Sequence, residues 1–378
     1  MKRLVLLLTV IFVSGCSVFT PLQRSKFLTV HHLTETRNYD DAKIVIEEMI
    51  ENGEFAELPR TWYLRGVLAQ TAYRDDKQNL YSDQLYVIYE SFERHHELSG
   101  SDRAKNQIKP KYIQLANDLQ RLGERQFRNG NYSQSLKAFE HALAITRMQT
   151  LAIEQDKSLV YNAGLAAFES EEWEKAEKHL GKLHKHGYST NATHLLYKTM
   201  LAQEDKDAAR RVLMEGVGKY EDNEDLIMLL VDFLADNGDE NAALDVLSEA
   251  IYDDPENHNL HYTKGLIYQR TGMFNDAVLS YFDAHEKDPE HLMTYVNIAT
   301  CYYNIGVEID EEARTMTNQA EVNEMRIKSE AAYESAVTWL DKVNEKEPGE
   351  QEVLDVIYDL YSRLRLTDKV RDTESNLN

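Results

Sequence analysis

Two prolines, Pro255 and Pro289, stand 34 residues apart, and the interval between them constrains the fold more than any other stretch of the chain. It holds small residues at Gly265, Ala277 and Ala284, large ones at Tyr268 and Tyr281, and a glycine, Gly272, between two apolar runs. A helix from about His258, a turn at Gly272 and a second helix closed by Pro289, which offers no backbone donor, account for all of them. The small residues let two antiparallel helices touch, and the tyrosines fill the space beside them. A unit this short cannot bury its apolar side alone. It has to stack on neighbours of the same kind, so the period dictates a helical array rather than a globule with one central core.

These offsets resemble the tetratricopeptide repeat (TPR), a family of helical scaffolds, and the resemblance implies an all-α solenoid of about seven to eight helix-turn-helix repeats with helical insertions. The same pattern recurs along the chain. With Ala116 as a repeat start, Gly123 takes the small contact position, Gly130 and Tyr132 the turn, and Ser135, Phe139 and Ala142 the second helix. Ala163, Gly164, Trp173, Ala176 and Leu180 repeat it. Leu196, Met200, Ala209 and Leu213 keep a degenerate form, and Leu230, Gly238, Ala243, Leu247 and Ala250 lead back to Pro255. Repeats are therefore expected over 116–307, and degenerate TPR-like helices over 25–115. In that earlier stretch Asn38 to Ala42 reads as a turn and second helix, Trp62 and Gly66 open another unit, and an insertion of roughly Arg74 to Gln84 displaces its partner. A break at Ser99 to Ser101 precedes a long helix, and the stretch 148–156 lengthens the gap to the next unit. After Asn297, Ala299, Tyr302, Tyr303 and Gly306 the partner helix returns only at Tyr333 to Ala336. The segment 308–332 lacks glycine and proline, and Ile309, Ala313, Met316 and Ala320 recur at helical spacing, which predicts a charged helical projection. The remainder, 333–378, is expected to hold the second half of that split repeat, ending at Pro348, and a capping helix with Val353, Leu354, Ile357, Tyr358 and Tyr361, followed by a polar tail from Thr367. Split repeat and ending resemble TPR proteins of the Bacteroidetes.

The N-terminus carries a separate signal. Lys2 and Arg3 precede an apolar run, Leu4 to Val13, too short to span a bilayer, and Val13-Ser14-Gly15-Cys16 follows. The tetrad resembles the lipobox of bacterial lipoproteins, which implies a signal peptide over 1–15, an acylated Cys16 and a tether over 16–24. Several buried acyl chains, at about 0.8 kcal/mol per methylene, would hold such a chain on a membrane. Ser17 rather than aspartate after the cysteine, and no acidic cluster there, imply the outer membrane and its periplasmic face.

Charge and composition exclude several classes of function. The formal net charge is −23, or about −25 once Lys2 and Arg3 leave, so phosphate backbones are repelled and no nucleic-acid partner is expected. The balance suits solubility and basic partners. Of two cysteines, Cys16 is assigned to the lipid and Cys301, among apolar neighbours, to the core, which leaves no disulfide. Histidines cluster at His31-His32, His95-His96 and His179, His184, His186, without the spacing of a metal site, and the last group reads as a solvated face. Asp236 to Glu240 lacks the alternating ligands of a calcium loop and sits where a turn is needed. No nucleophile elbow, phosphate loop or dinucleotide fingerprint is present, so neither an enzyme nor a cofactor is expected.

TPR proteins line a concave groove with set positions of each first helix. Carried onto this chain, those positions are Tyr161, Leu165, Phe168, His194, Lys198, Met228, Asp232, Tyr262, Gln269, Arg270, Thr300, Tyr303 and Asn304. The lysine and asparagine clamp of chaperone-binding TPRs is missing, since Tyr161, Leu165, His194, Lys198, Tyr262 and Leu266 occupy its places. The expected function is a lipid-anchored scaffold for protein or peptide partners in the cell envelope. The alternative is a glycan- or peptide-binding lipoprotein for nutrient uptake.

Overall fold

A computed structural model of the protein describes residues 19–77, 79–99, 102–147, 156–220, 223–346, 351–364 and 366, and every regular element among them is α-helical. The expected signal peptide over 1–15 and Cys16, the Gly100-Ser101 break, most of the gap at 148–156, Pro348 and the tail from Thr367 lie outside the described residues. The chain divides into two compact units that meet at Gln203 and Glu204.

The first unit contains α1 (Pro21–Glu35), α2 (Tyr39–Glu51), the one-turn α3 (Gly53–Ala56), α4 (Pro59–Arg74), α5 (Gln84–Leu98), α6 (Asp102–Arg128), α7 (Tyr132–Thr146), α8 (Lys157–Glu169), α9 (Trp173–Lys185) and α10 (Thr190–Ala202). The second contains α11 (Lys206–Val217), α12 (Glu224–Asp236), α13 (Glu240–Asp253), α14 (His258–Arg270), α15 (Phe274–Lys287), α16 (Leu292–Thr315), α17 (Gln319–Lys346) and α18 (Gln351–Arg363). Within each unit, helices adjacent in sequence pack as hairpins and the hairpins stack in chain order.

One contact defines the hairpin. A glycine on the first helix faces a large side chain 16 residues later on the second: Gly123 and Phe139, Gly164 and Leu180, Gly265 and Tyr281. A Cβ on any of these glycines would stand 2.9 Å or less from that side chain, so the backbones approach as closely as they do only because no Cβ is there. The turns share a second feature. Arg37, Gly130, Glu171, Glu204, Gly238 and Gly272 occupy the same turn position, two residues before the second helix, and all have positive φ, between 59° and 78°. Three of them are not glycine, and at Arg37 and Glu171 the packed hairpins α1–α2 and α8–α9 hold the left-handed turn even though the residue disfavours it.

Two hairpins depart from the 16-residue spacing. Gly66 and Phe92 make the same contact 26 residues apart, which places ten extra residues before α5. The insert folds back on the first unit: Leu80 and Tyr81 are buried, the Tyr81 hydroxyl donates to Glu47 Oε1 at 2.9 Å, and Lys43 Nζ donates to the Leu80 carbonyl at 2.7 Å. Gln84 fixes it from the other side, accepting from the Leu80 N–H at 3.1 Å and donating to the Ala69 carbonyl at 2.8 Å.

The other departure is α16 with α17. They are 24 and 28 residues long where α14 and α15 have 13 and 14, a surplus of 25. Ala299 packs in one cluster with Leu340, and two turns further out Gly306 receives Tyr333, a Cβ on Gly306 falling 2.5 Å from the ring. Both pairs belong to one antiparallel register. The residue 34 before Gly306 is Gly272, in the turn between α14 and α15, so a turn position has become a helix-contact position. Tyr333 donates to Asp310 Oδ2 at 2.9 Å, and beyond it the tip relies on local pairs such as Glu324 with Lys328 at 2.8 Å. α18 closes the array by laying Ile357, Leu360 and Tyr361 over Tyr333, Ala336 and Leu340.

Two expectations are corrected. The tether does not extend to residue 24, because α1 begins at Pro21. Thr20 and Gln23 cap each other reciprocally at 3.2 and 2.9 Å, and proline at the first helical position costs no hydrogen bond. His179 and His184 are not solvated: they are 1 % and 5 % exposed. His184 Nδ1 lies 3.0 Å from Thr193 Oγ1 on α10, and His179 Nε2 lies 3.5 Å from Glu140 on α7, so neighbouring hairpins cover both.

Candidate binding faces of the two units

In the first unit the expected groove residues lie on α8 and α10. Tyr161 is half-buried with its ring 6.1 Å from that of Tyr188, and burial followed by Tyr188 pushes its phenol up. Leu165 lines a small cleft of about 190 Å³ together with Phe127, Phe139 and Asn162. Phe168 meets Trp173 edge-on at 5.6 Å, across the turn of its own hairpin, so its role is packing. His194 stacks on Tyr197 of the same helix at 6.5 Å, and Lys198 is exposed.

In the second unit the groove residues form columns on α12, α14 and α16, because the repeat brings equivalent positions together every 34 residues. Met228 and Tyr262 are one such pair, and Asp236, Arg270 and Asn304 are a column of three. Arg270 Nη1 reaches Asp236 Oδ1 at 3.3 Å and Nη2 reaches Glu240 Oε1 at 3.7 Å, while Thr263 Oγ1 lies 3.6 Å from Met228 Sδ. Asp232 is exposed, and its carboxyl is nonetheless pushed up by partial burial and by Asp236, with Arg270 opposing. Tyr262 is half-buried, with its ring 4.8 Å from His291 and its oxygen accepting from Asn297 Nδ2 at 2.8 Å. Burial raises its phenol, and the Asn297 bond opposes the rise. Asn297 and His291 were not on the expected face. The signal for Asn297 was its distance of 35 residues from Tyr262, one repeat plus one.

Three expected residues are committed to structure. Gln269 Oε1 accepts the Tyr281 hydroxyl at 2.7 Å. Thr300 Oγ1 bonds back to the Val296 carbonyl at 2.8 Å. Tyr303 is covered by α18, its hydroxyl 3.4 Å from Asp359 Oδ2 and its ring 5.2 Å from the Arg363 guanidinium. Asn304 is half-buried. The structure thus leaves Lys198, Asp232 and Arg270 exposed and Tyr161, His194, Met228, Tyr262 and Asn304 partly so. Among the described residues no group of three or more His, Cys, Asp or Glu is placed to hold a metal, and no helix is long and apolar enough to cross a membrane.

No family model matches the chain, and no curated protein does. Solved structures do. The chain is similar to the C-terminal part of a TPR repeat-containing protein from Cytophaga hutchinsonii, at 14 % identity over 68 % of this chain and 93 % of that one, with a TM-score of 0.47. A TPR protein from Bacteroides fragilis is 17 % identical over 65 % of this chain and 98 % of that one, with a TM-score of 0.37. YrrB, described as a TPR protein with an unusual peptide-binding site, is 19 % identical over 48 % of this chain and 88 % of that one, with a TM-score of 0.33. By the glycine contact, the left-handed turn and the 34-residue step, the described hairpins of each unit have the fold of tetratricopeptide-type repeats.

Proposed function

We propose that the chain is a lipid-anchored scaffold on the periplasmic face of a bacterial outer membrane, holding protein or peptide partners of the envelope against the first-helix face of its second unit. The observation that carries the reading is the ordered column on α12, α14 and α16. Met228 and Tyr262 offer apolar surface, Asp232 and Arg270 offer charge, and Asn304 continues the row at the step of one repeat. A face that repeats along parallel helices suits an extended segment or a helix laid across them, with aromatic anchors and flanking polar groups. The lipobox-like Val13-Ser14-Gly15-Cys16 supports the anchor, and the net charge of −23 supports basic partners over nucleic acid.

Pull-down from detergent-solubilised envelope tests the face. A reproducible protein partner is expected with the wild-type chain and not with Tyr262→Ala/Arg270→Ala, given an unchanged far-UV spectrum in the variant. A partner retained by the variant overturns the assignment. For the anchor, Cys16→Ser is expected to release the chain from the membrane fraction; unchanged fractionation overturns it.

A further inference from the structure

The insertion before α5 has a second consequence, on the turn edge of the first unit and away from the first-helix face. A cleft of about 320 Å³ lies among the end of α4, the start of α5, the end of α6 and the start of α7, at the lower end of the range for small-ligand sites. Its walls carry two cations, Arg125 and Lys137. Among the described residues neither has a carboxylate within ion-pair distance, in a chain with 65 acidic side chains. Lys137 Nζ stands 4.1 Å from the centre of the Tyr86 ring, and Arg125 lies beside the Tyr73 phenol. The lining also includes Asp83. This residue precedes α5 with φ of 54°, left-handed and not glycine, and its side chain makes no capping hydrogen bond.

The charges select the ligand. A dianion such as phosphate meets Asp83 as well as the cations, and a neutral sugar offers no counter-charge to either sign. A molecule with a carboxylate at one end and an ammonium at the other satisfies both signs of charge in the lining, and the tyrosines offer apolar surface to the rest of it. We propose that this cleft binds a small zwitterion, a free amino acid or a dipeptide, with its carboxylate on Arg125 and Lys137 and its ammonium on Asp83.

The test uses the full chain, with calorimetry and thermal shift against the free proteinogenic amino acids, dialanine, N-acetyl-dialanine, and inorganic phosphate. One or more of the amino acids or dialanine is expected to bind and raise the melting temperature. Lys137→Gln and Arg125→Gln, both at exposed positions, are each expected to weaken it about tenfold or more. Asp83→Asn is expected to weaken the free ligand and leave the N-acetylated one unchanged, which separates a charge role from a folding defect. Absence of binding by every amino acid and dialanine overturns the proposal. So does phosphate binding as tightly as the zwitterions, or affinity unchanged in Lys137→Gln with a native far-UV spectrum. Each outcome is independent of the partner pull-down, which reads the second unit.

Discussion

Replacing Gly265 by alanine tests whether the glycine contact holds the hairpins together. A Cβ at Gly265 would lie 2.5, 2.6 and 2.9 Å from three atoms of the Tyr281 ring, so the ring would have to retreat by about 0.9 Å to reach ordinary contact. It has little room: Tyr281 is 0 % exposed, its hydroxyl is tied to Gln269 at 2.7 Å, and its other side meets Tyr262 at 5.6 Å between centroids. Overpacking of that kind costs up to about 3 kcal/mol. Alanine returns about 1 kcal/mol of helix propensity, leaving a net loss of about 2 kcal/mol. Stacked repeats do not unfold as one unit, so the measurement is amide exchange in α14 and α15, expected to be about thirtyfold faster in the variant. Gly181, in the middle of α9 with nothing within 4 Å of its missing Cβ, is the control, and Gly181→Ala is expected to stabilise by up to about 1 kcal/mol. Exchange in Gly265→Ala equal to or slower than wild type would refute the reasoning.

Further outcomes follow from the same structure. Glu140 is held at about 2 by His179 and then by Lys175 at 3.1 Å, below its ordinary 4.5, so its contribution is complete above pH 4.5 and is lost as the pH falls towards 2. Acid titration of stability is expected to be shallower over that window in Glu140→Gln; an unchanged profile counts against the pairing. Burial pushes the Cys301 thiol up to about 12, so a maleimide is expected to label it only after unfolding, and rapid native labelling would place it at the surface. Glu171→Gly, at a φ of 59°, is expected to stabilise by about 0.5–1 kcal/mol, the left-handed penalty less the entropy of a freer unfolded chain; destabilisation in thermal melts would show that Glu171 does more than fill a turn. Deleting 308–332 restores the 16-residue spacing between Ala299 and Leu340, so the shortened protein is expected to stay folded with proportionately less helical signal; collapse of the whole array on deletion would contradict this.

The hairpins were legible because their packing is local. Gly265 and Tyr281 are 16 residues apart, so small and large side chains that touch are also close in sequence, and Pro255 and Pro289 mark the step. What escaped depends on neighbours further away. His179 and His184 read as polar positions on a basic helix, and only the covering residues Glu140 and Thr193 make them interior. The insert before α5 was visible as a break in the pattern, but not that Tyr81 would swing back to Glu47, 34 residues earlier. Pro21 read as part of a loose segment because its value as a first helical residue depends on Thr20 and Gln23 closing around it. The candidate face was legible in position and not in state. The sequence places Tyr303 on that face, and α18, which covers it, begins some fifty residues later.

The long α16–α17 hairpin has a consequence for how such a protein can vary. Ala299 with Leu340 and Gly306 with Tyr333 are rungs of one ladder, seven residues apart on each rail, a rise of about 10 Å at 1.5 Å per residue. Residues added or removed in matched sevens on both rails would lengthen or shorten the arm by whole rungs while its root stayed in register. The tip near Asn318, about 24 Å of helix beyond Ala299, is thus free to change reach without asking the neighbouring repeats to repack.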